Sequence, residues 1–459
     1  MWQGQSTRTK LRGLLLSLAT TFIAAIGIVS FAPLSLAAED ADLKGLQGDW
    51  RAKAPWCPYR RAEGSPLGVG NSVASDDSAK PILNEFVSKN EDGIGSNTPP
   101  CNDGDSIIFN GLLCGAGVGA QPGEERAAPN GERLVREVGC DVVKHSQTLS
   151  EGSSDYGRWW RSPRRTYLAS LNQQPEGGSE TTFSNDHALG VMAYIAQTKD
   201  VAAFQAWTEW IKNKGGVCSS FHCIPGLPRY CPDDRCGFKV IDCPLLDRLA
   251  QYLGQENPLC ASDSVKEVQA ATWAVTDRLW AVTDGLLAAL TMNKVKLNDI
   301  VNKYGAGKEG EHSVERAAIF NSIINDSGYP LHDVAVTIYL LRKFGIANQG
   351  ESQIAAEIAS ARAMDNAFFD FVANGPTAGV KSNILFACPS KTNDTPHPAF
   401  QWIWERKDIK ETAQKTMYWD CVFIANAFMK GDYPAPTVVP GIKEGAAEIA
   451  KVRDLLRLP

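Results

Sequence analysis

Four short acidic segments, each followed directly by an apolar run rich in small residues, constrain the fold of this chain most. The segments are 102–105, 185–187, 332–333 and 419–420, and the runs behind them are 106–114, 188–196, 334–341 and 421–428. Such runs predict helices that are buried along most of their length. A carboxylate is favoured at the N-terminal end of a helix, where free N–H groups and the helix dipole stabilise negative charge. The pattern therefore predicts buried helices with acidic N-termini.

Carboxylates gathered on one face would form a pocket suited to acid/base hydrolysis of neutral, polar polymers such as glycans. Asp105 and Asp186 are the first candidates, because each stands at the start of a predicted buried helix. Simple helix capping is the alternative, since Asp and Asn favour the N-cap position. The full set of candidate acids is Asp103, Asp105, Asp186, Glu405 and Asp420.

The N-terminus has the features of a secretion signal. Arg8, Lys10 and Arg12 form a basic head. An almost uncharged apolar run follows over residues 14–36, and residues 35–37 (Ser-Leu-Ala) form a small-x-small cleavage site. The run is also long enough to span a bilayer, so an uncleaved anchor is the alternative. We expect residues 1–37 to be a cleaved signal peptide and the protein to be periplasmic or secreted.

The charge balance limits the partners. Residues 1–37 hold three basic and no acidic side chains, so their removal changes the formal net charge from −6 to −9. An acidic protein is poorly suited to bind nucleic acid or anionic membranes. We therefore expect neither partner, and a polysaccharide or oligosaccharide is the expected substrate.

All twelve cysteines lie beyond residue 37, and in an exported chain their even number favours disulfide bonds. Six of them fall between Cys218 and Cys260, in a stretch that predicts a bridged loop insertion over residues 215–262. A zinc knuckle around Cys231 and Cys236 is the alternative. The candidate pairs elsewhere are Cys101 with Cys114 and Cys388 with Cys421.

The remaining pattern predicts a mainly α protein. Residues 38–100 are polar and rich in Gly, Ser, Pro and Asp, which predicts an irregular N-terminal arm. Over residues 101–459 the apolar spacing is helical, and alternating strand patterns are scarce. The intervals between the acidic segments suggest repeated helix pairs, in which a buried inner helix is followed by a more polar outer helix. The other predicted helices are 200–212, 268–290, 354–371 and 444–458.

At this level the chain resembles the (α/α)-toroid carbohydrate-active enzymes, a broad group of glycoside hydrolases and polysaccharide lyases. The resemblance is carried by residues 102–105, 158–161, 184–190 and 402–420. It implies a helical toroid over residues 101–459, with a cleft at the N-terminal face of the inner helices that acids and aromatic side chains line. It extends to the group as a whole and to no single family.

A basic and aromatic strip over residues 158–165 is the most unusual composition in the chain, with four arginines and two tryptophans. Tryptophan rings stack on sugar faces, and guanidinium groups bind carboxylate or sulfate through paired hydrogen bonds. Packing of the rings in the core, with the arginines paired to acids, is the alternative. The candidate substrate-binding residues of this strip are Arg158, Trp159, Trp160 and Arg161.

A second aromatic segment, 397–406, contains Glu405 next to Trp404. Apolar burial there would suit Glu405 to the role of general acid, whose carboxyl must stay protonated. A surface ion pair with Arg406 or Lys407 is the alternative. The candidate substrate-binding set is completed by His187, Trp402, Trp404 and Trp419.

Three functions stay open at the level of sequence. The first is an exported glycoside hydrolase that uses paired carboxylates. The second is a lyase for an acidic polysaccharide, in which the arginines would bind the substrate and His187 or Tyr156 would act as base. The third is a non-catalytic glycan-binding or cell-envelope protein. Nucleotide-binding, serine-hydrolase and His-Glu-x-x-His motifs are missing from the sequence, so no cofactor is expected, although calcium stays open.

Overall fold

The computed structural model describes residues 36–54, 59–62, 106–127, 133–170, 183, 185–213, 243–261, 263–292, 296, 298–299, 313–324, 329–363, 366–388 and 417–456. In these residues the protein is mainly helical and has one small antiparallel sheet. The chain divides into two compact units, Met1–Lys44 and Gly45–Pro459. Every contact discussed below lies within the second unit.

The elements follow one another along the chain in this order: α1 Leu36–Lys53, β1 Tyr59–Ala62, α2 Ser106–Gly115, β2 Glu125–Ala127, β3 Arg133–Glu137, α3 Cys140–Lys144, α4 Pro163–Ser170, α5 Asn185–Thr198, α6 Val201–Asn213, α7 Cys243–Tyr252, α8 Asp263–Leu290, α9 Val314–Ile324, α10 Tyr329–Lys343, α11 Gln349–Arg362, α12 Ala367–Asn374, α13 Ala378–Ala387, α14 Met417–Lys430 and α15 Ile442–Leu456. The sheet has the strand order β1-β3-β2.

The predicted mainly α class is confirmed, and the four apolar runs form α2, α5, α10 and α14. Nearly all described residues of these runs are buried. A helix that is apolar all round must lie inside a larger assembly of helices. These four helices therefore form much of the core.

α2 and α5 pack backbone to backbone at a pair of glycines. A Cβ atom placed on Gly111 would lie 2.1 Å from the carbonyl oxygen of Gly190, and one on Gly190 would lie 2.5 Å from that of Ile107. Further along, a Cβ atom on Gly115 would lie 3.7 Å from the Cβ atom of Ala193. Because the contact residues advance together along both helices, α2 and α5 run parallel and begin at the same end.

α5 and α6 form an antiparallel hairpin closed by a short turn. The carboxylate of Asp200 accepts the N–H of Ala203 at 3.0 Å and the hydroxyl of Tyr194 at 2.7 Å. Burial, and then the hydrogen bond to Asp200, raise the pKa of Tyr194 well above its usual value of 10.0. α5 is buried along most of its length, whereas α6 exposes a residue at every third or fourth position. α6 is therefore the more polar outer helix that the sequence predicts.

α10 and α14 also run parallel. The ring of Tyr339 lies 6.0 Å from that of Phe423, and Lys343 pairs with Asp432 just beyond the end of α14. Tyr339 also packs near the end of α2, where a Cβ atom on Gly115 would lie 3.9 Å from the tyrosine ring. The second halves of α2 and α10 therefore meet.

α9 and α11 form a further parallel pair. At their first turns, the N–H of Asn348 donates to the carboxylate of Glu315 at 2.7 Å. At their last turns, the guanidinium of Arg362 donates to the carbonyl oxygen of Ser322 at 2.7 Å. α11 follows α10 after a five-residue connection, residues 344–348, so it starts at the end where α10 finishes.

Side chains from three segments cap the C-terminus of α12. The carbonyl oxygen of Val372 accepts hydrogen bonds from Arg342 at 3.0 Å and from the Tyr433 hydroxyl at 2.9 Å. The amide of Gln353 donates to the carbonyl oxygen of Ala373 at 2.8 Å. Arg342 is buried, and the negative end of the α12 dipole offsets its charge.

Three disulfide bonds lie within the described ranges: Cys114–Cys140, Cys243–Cys260 and Cys388–Cys421. The second is a pair within the predicted insertion, and the third is the bridge expected before α14. The candidate pair of Cys101 with Cys114 is wrong, because Cys114 at the end of α2 bonds to Cys140 at the start of α3. The zinc alternative at Cys231 and Cys236 lies outside the described residues.

Two stretches differ from the sequence expectations. Part of the predicted irregular arm is regular, since α1 is a helix and β1 pairs with β3. α1 has no strong apolar face, so periodicity gives no signal for it. The predicted helix 354–371 is two helices, because Asn366 starts α12 by accepting the N–H of Phe368 at 3.0 Å.

In the part of the chain that the structure describes, no helix is both long enough and apolar enough to cross a membrane. The predicted signal segment lies almost wholly outside that part.

We expect Gly190→Ala to destabilise the protein. The added Cβ atom would lie 2.5 Å from a backbone oxygen of α2, which can yield only if the two helices separate. Overpacking of this kind costs about 1–3 kcal/mol or more. Chemical unfolding of the purified variant measures the loss.

Two glycine variants serve as controls. Gly115→Ala, on the same interface, meets only an ordinary contact at 3.7 Å. Gly285→Ala, in α8, has nothing within 4 Å and should gain about 0.5–1 kcal/mol from helix propensity. Equal stability of all three variants would contradict the close contact.

Candidate functional site

Asp186 lies at the end of the α2–α5 pair where both helices begin. It is in the first turn of α5, 2% exposed, four residues before Gly190. Gly190 in turn packs on Ile107, in the first turn of α2. The N–H of Ile107 donates to the carbonyl oxygen of Arg161 at 3.0 Å. Asp186, the start of α2 and the backbone of Arg161 therefore occupy the same end of the pair.

Several candidate residues lie outside the described residues: Asp103, Asp105, Trp402, Trp404 and Glu405. Asp105 directly precedes Ser106, at which α2 begins. The roles of these five residues stay predictions.

His187 is buried next to Asp186. Its Nδ1 atom lies 3.6 Å from Oδ1 of Asp186, and its ring centroid lies 5.4 Å from that of Phe183. An imidazole this close to a buried carboxylate suits charge pairing or proton exchange. His187 therefore belongs to the same candidate site, and the structure gives it an aromatic neighbour.

The two tryptophans of the basic strip pack inside the protein. Trp159 makes edge-to-face contacts with Tyr194 and Trp207, at centroid distances of 5.8 and 6.4 Å. The indole N–H of Trp160 donates to the hydroxyl of Thr148 at 2.8 Å. Core packing was the alternative to sugar stacking, and these contacts favour it. Substrate binding by either ring stays a prediction.

The arginines of the strip differ in their surroundings. Arg158 is buried, with its guanidinium 3.7 Å from the ring centroid of Trp160 and 3.5 Å from the carboxylate of Asp155. These contacts fix Arg158 in the core. Arg161 is partly exposed, and its backbone lies at the start of α2. Of this strip, Arg161 is the arginine that the described contacts bring to the candidate site.

Trp419 is enclosed by two arginines. The guanidinium carbons of Arg51 and Arg136 lie 5.5 and 5.2 Å from its ring centroid. Glu124 holds both: Arg51 donates to its two oxygens at 2.8 and 2.7 Å, and Arg136 donates at 3.0 Å. The cluster connects α1, β3 and α14. Asp420 is buried beside it, and a cavity shared by Asp420 and Asp186 stays a prediction.

Opposing effects act on the pKa of Glu124. Burial alone would raise it, but the hydrogen bond from Arg51 and the charges of Arg51 and Arg136 outweigh burial. The net result is a pKa below the usual 4.5. The carboxylate therefore stays ionised at neutral pH and keeps the cluster paired.

Sequence reasoning missed two buried acids at the start of α9 and α11. Glu315 and Glu351 are 0% and 2% exposed. Glu315 accepts a backbone N–H from Asn348, and Glu351 accepts the hydroxyl of Ser313 at 3.2 Å. The Asn-x-x-Glu spacing of residues 348–351 is a capping-box pattern, which could have located the start of α11. A polar residue follows each acid directly, Arg316 after Glu315 and Ser352 after Glu351, so neither acid shows the pattern of an acidic segment followed at once by an apolar run.

In the described ranges, no cluster of three or more His, Cys, Asp and Glu side chains could hold a metal ion. Comparisons of this chain with protein-family models, with curated proteins and with solved structures found no match. Function must therefore be argued from the residues and contacts of the chain itself.

We expect Glu124→Gln to weaken the protein most at neutral pH. The folded-state pKa is lowered, so this stabilisation is complete above the unfolded-state value near 4.5 and is lost as the pH falls through the folded value. The free energy of unfolding at neutral pH should fall by about 1.5–3 kcal/mol, the contribution of hydrogen bonds to a charged group. Chemical unfolding across an acidic to neutral pH series measures the difference from wild type.

Glu125→Gln is the matched control. Glu125 pairs with Arg133, which is more than half exposed, and such pairs contribute about 0–1 kcal/mol. A Glu124→Gln effect that stayed constant into acid would show that the lost charge is not its cause.

Proposed function

We propose that this chain is an exported glycoside hydrolase, in which an (α/α) toroid presents catalytic carboxylates at the N-terminal ends of its inner helices. The parallel contact of α2 and α5 carries the proposal. It supports an arrangement in which Asp186 and the residue preceding α2, Asp105, stand at neighbouring helix starts. Two nearby carboxylates are the minimal machinery of glycoside hydrolysis.

The helix directions support the toroid. The buried helices form two parallel pairs, α2 with α5 and α10 with α14, as inner helices of a toroid must. Each pair is linked to a returning helix through a hairpin, α5 to α6 and α10 to α11. α9 and α11 form a further parallel pair.

Disulfide chemistry supports export. Disulfide bonds persist in oxidising compartments and are rare in the cytosol. The three bonds within the described ranges fit a periplasmic or secreted protein that carries the predicted signal peptide.

Within this proposal, one carboxyl donates a proton to the glycosidic oxygen while its partner stays ionised as base or nucleophile. Free N–H groups at a helix start favour the ionised form. His187, with Nδ1 3.6 Å from Oδ1 of Asp186, gives that carboxyl an imidazole neighbour with which it can exchange a proton. The distance between the two carboxyl groups would decide between retention and inversion.

We expect Asp186→Asn to lower glycan turnover by about a hundredfold or more, because the amide cannot exchange a proton. Stability should change little, since the amide keeps the size and the hydrogen-bonding capacity of the carboxylate and loses only its charge interaction with the helix dipole, about 0.3–1 kcal/mol. Release of reducing sugar from a panel of neutral and acidic glycans measures turnover, and thermal unfolding checks the fold.

Asp200→Asn is the matched control, because Asp200 caps α6 at the opposite end of α5. It should keep its turnover. A folded Asp186→Asn protein with wild-type turnover would remove Asp186 from the mechanism. Wild-type protein that binds glycans of the panel but turns none over would favour the non-catalytic function.

A lyase for an acidic polysaccharide is the second candidate, and the position of Arg161 favours it. Arg161 is partly exposed, and its backbone carbonyl accepts the N–H of Ile107 at the start of α2. A guanidinium that reaches the substrate from there would bind a uronate or sulfate through two hydrogen bonds. A lyase leaves an unsaturated uronate that absorbs ultraviolet light, whereas a hydrolase leaves a saturated product.

We expect Arg161→Ala to weaken binding of a uronate-containing glycan by about tenfold or more, equivalent to about 1.4 kcal/mol, and to leave binding of a neutral glycan unchanged. Arg161→Lys keeps the charge but loses the planar fork, so it should restore binding only in part. Calorimetric titration of the three proteins with both glycans measures the effect. Equal losses for both glycans would assign Arg161 a structural role.

A further inference from the structure

α12 lies beside α10 and runs parallel to it. In their first turns, the ring of His332 meets that of Phe369 edge-on at a centroid distance of 4.9 Å. In their last turns, the guanidinium of Arg342 donates to the carbonyl oxygen of Val372 at 3.0 Å. Because the contact residues advance together along both helices, α12 begins at the end where α10 begins.

The C-terminal halves of α2, α5, α7 and α14 lie near the end of α10. The ammonium of Lys199, directly after α5, lies 5.3 Å from the ring centroid of Tyr252, the last residue of α7. That ring lies 5.8 Å from the ring of Phe344, directly after α10. Asn426 of α14 donates to the carbonyl oxygen of Ala116, directly after α2, at 2.5 Å. In the proposed toroid, the starts of α10 and α12 therefore share the face at which α2 and α5 begin.

Asn366 caps the start of α12 and is 2% exposed. Its Oδ1 atom accepts the N–H of Phe368 at 3.0 Å, which fixes the other end of the planar amide as Nδ2. Because the oxygen faces the N–H groups of α12, Nδ2 faces away from them, at the mouth of the helix. This nitrogen is buried and finds no acceptor in the part of the chain that the structure describes. A buried donor without an acceptor costs free energy, so a native structure that keeps one calls for a ligand or an ordered water to complete it.

The neighbours of this nitrogen suit a sugar. Phe369 follows Asn366 by three residues and therefore lies on the same side of α12, with the ring of His332 against its own. Sugars combine C–H faces, which pack on aromatic rings, with hydroxyl groups, which accept hydrogen bonds from amides. The amide is uncharged and needs no ionic partner, which fits the neutral glycan of the proposed hydrolase.

We propose that Asn366 is a substrate-binding residue whose Nδ2 atom donates a hydrogen bond to a hydroxyl oxygen of the glycan. The inference rests on the proposed glycoside hydrolase and adds to it a contact on the face that holds Asp186. The free protein already bears the cost of keeping this donor from water. The hydrogen bond to the substrate therefore adds affinity without a further cost of desolvating the amide, as in other preorganised sites.

Steady-state kinetics of two Asn366 variants test the proposal, with release of reducing sugar from xylan, glucomannan, dextran and polygalacturonate as the readout. Asn366→Ser keeps an oxygen that caps α12 and removes the donor. Asn366→Asp keeps the size of the side chain and the cap, and replaces the donor by an oxygen. On the probe that wild type turns over, each variant should raise KM by about tenfold and leave kcat within about twofold of wild type. The reason is that the lost hydrogen bond is made equally in the ground state and the transition state.

Thermal unfolding separates this role from a structural one. Asn366→Ser should unfold at the wild-type temperature or above it, because it removes a buried donor that has no partner in the free protein. Asn348→Ser is the matched control, since it makes the same substitution at the N-cap of α11. The Asn348 side chain accepts the N–H groups of Gly350 and Glu351 at 3.1 and 3.2 Å. α11 begins where α10 finishes, so this variant should keep the wild-type KM.

The proposal is wrong if a folded Asn366→Ser protein has the wild-type KM. It is also wrong if Asn366→Ser unfolds well below both wild type and Asn348→Ser, which would show that Nδ2 binds an internal water of the free protein. Wild type that turns over no probe but is retarded by one of them in affinity electrophoresis contradicts the hydrolase alone. Whether the Asn366 variants lose that retardation then decides the present inference. Wild type that neither turns over nor binds any probe contradicts both.

Discussion

The backbone contact between α2 and α5 is the constraint on which the rest of the candidate site depends. Gly111 and Gly190 face each other so closely that neither position tolerates a Cβ atom without displacement of a helix. Such proximity fixes the spacing of the helices, and the contact of Gly115 with Ala193 further along both helices shows that they run parallel. It also makes neighbours of the two helix starts. The acid in the first turn of α5 owes its place at this end of the helix pair to this contact.

Polar groups between the helices form hydrogen bonds and ion pairs with several segments at once, and these shared contacts make the structure around this core more rigid. The end of α12 is capped by Arg342, Tyr433 and Gln353, which come from three different segments. Glu124 binds two arginines from separate elements. Each of these groups would be costly to bury alone, so removal of one partner leaves the others unsatisfied. Such networks favour one helix arrangement over others that would bury the same apolar area.

The sequence predicts the helices well where one chemical pattern is local. A helix that is buried on all sides must consist of small and apolar residues. The runs of such residues after Asp186 and before Lys343 therefore identify α5 and α10. Prediction from sequence fails where a contact with a residue distant in the chain decides which cysteines pair or which acid is buried. Cys114 bonds to Cys140 because the start of α3 packs against the end of α2. The spacing of the cysteines in the sequence does not predict this contact. Glu315 is buried because Asn348 offers it a backbone donor, so its role could not be read from its own surroundings in the sequence.

The two ends of the helix hairpins differ in chemistry, and within the proposed hydrolase this difference favours the end where α2 and α5 begin as the catalytic one. At the end where α10 finishes and α11 begins, Glu315 and Glu351 bind groups of neighbouring helices and so join α9 to α11. These two glutamates therefore have a structural role, because their hydrogen bonds connect neighbouring helices. At the end where α2 and α5 begin, Asp186 lies beside His187, and Arg161 is partly exposed. In the proposed toroid these are opposite faces of one ring, so stability and catalysis would be assigned to separate sets of buried carboxylates.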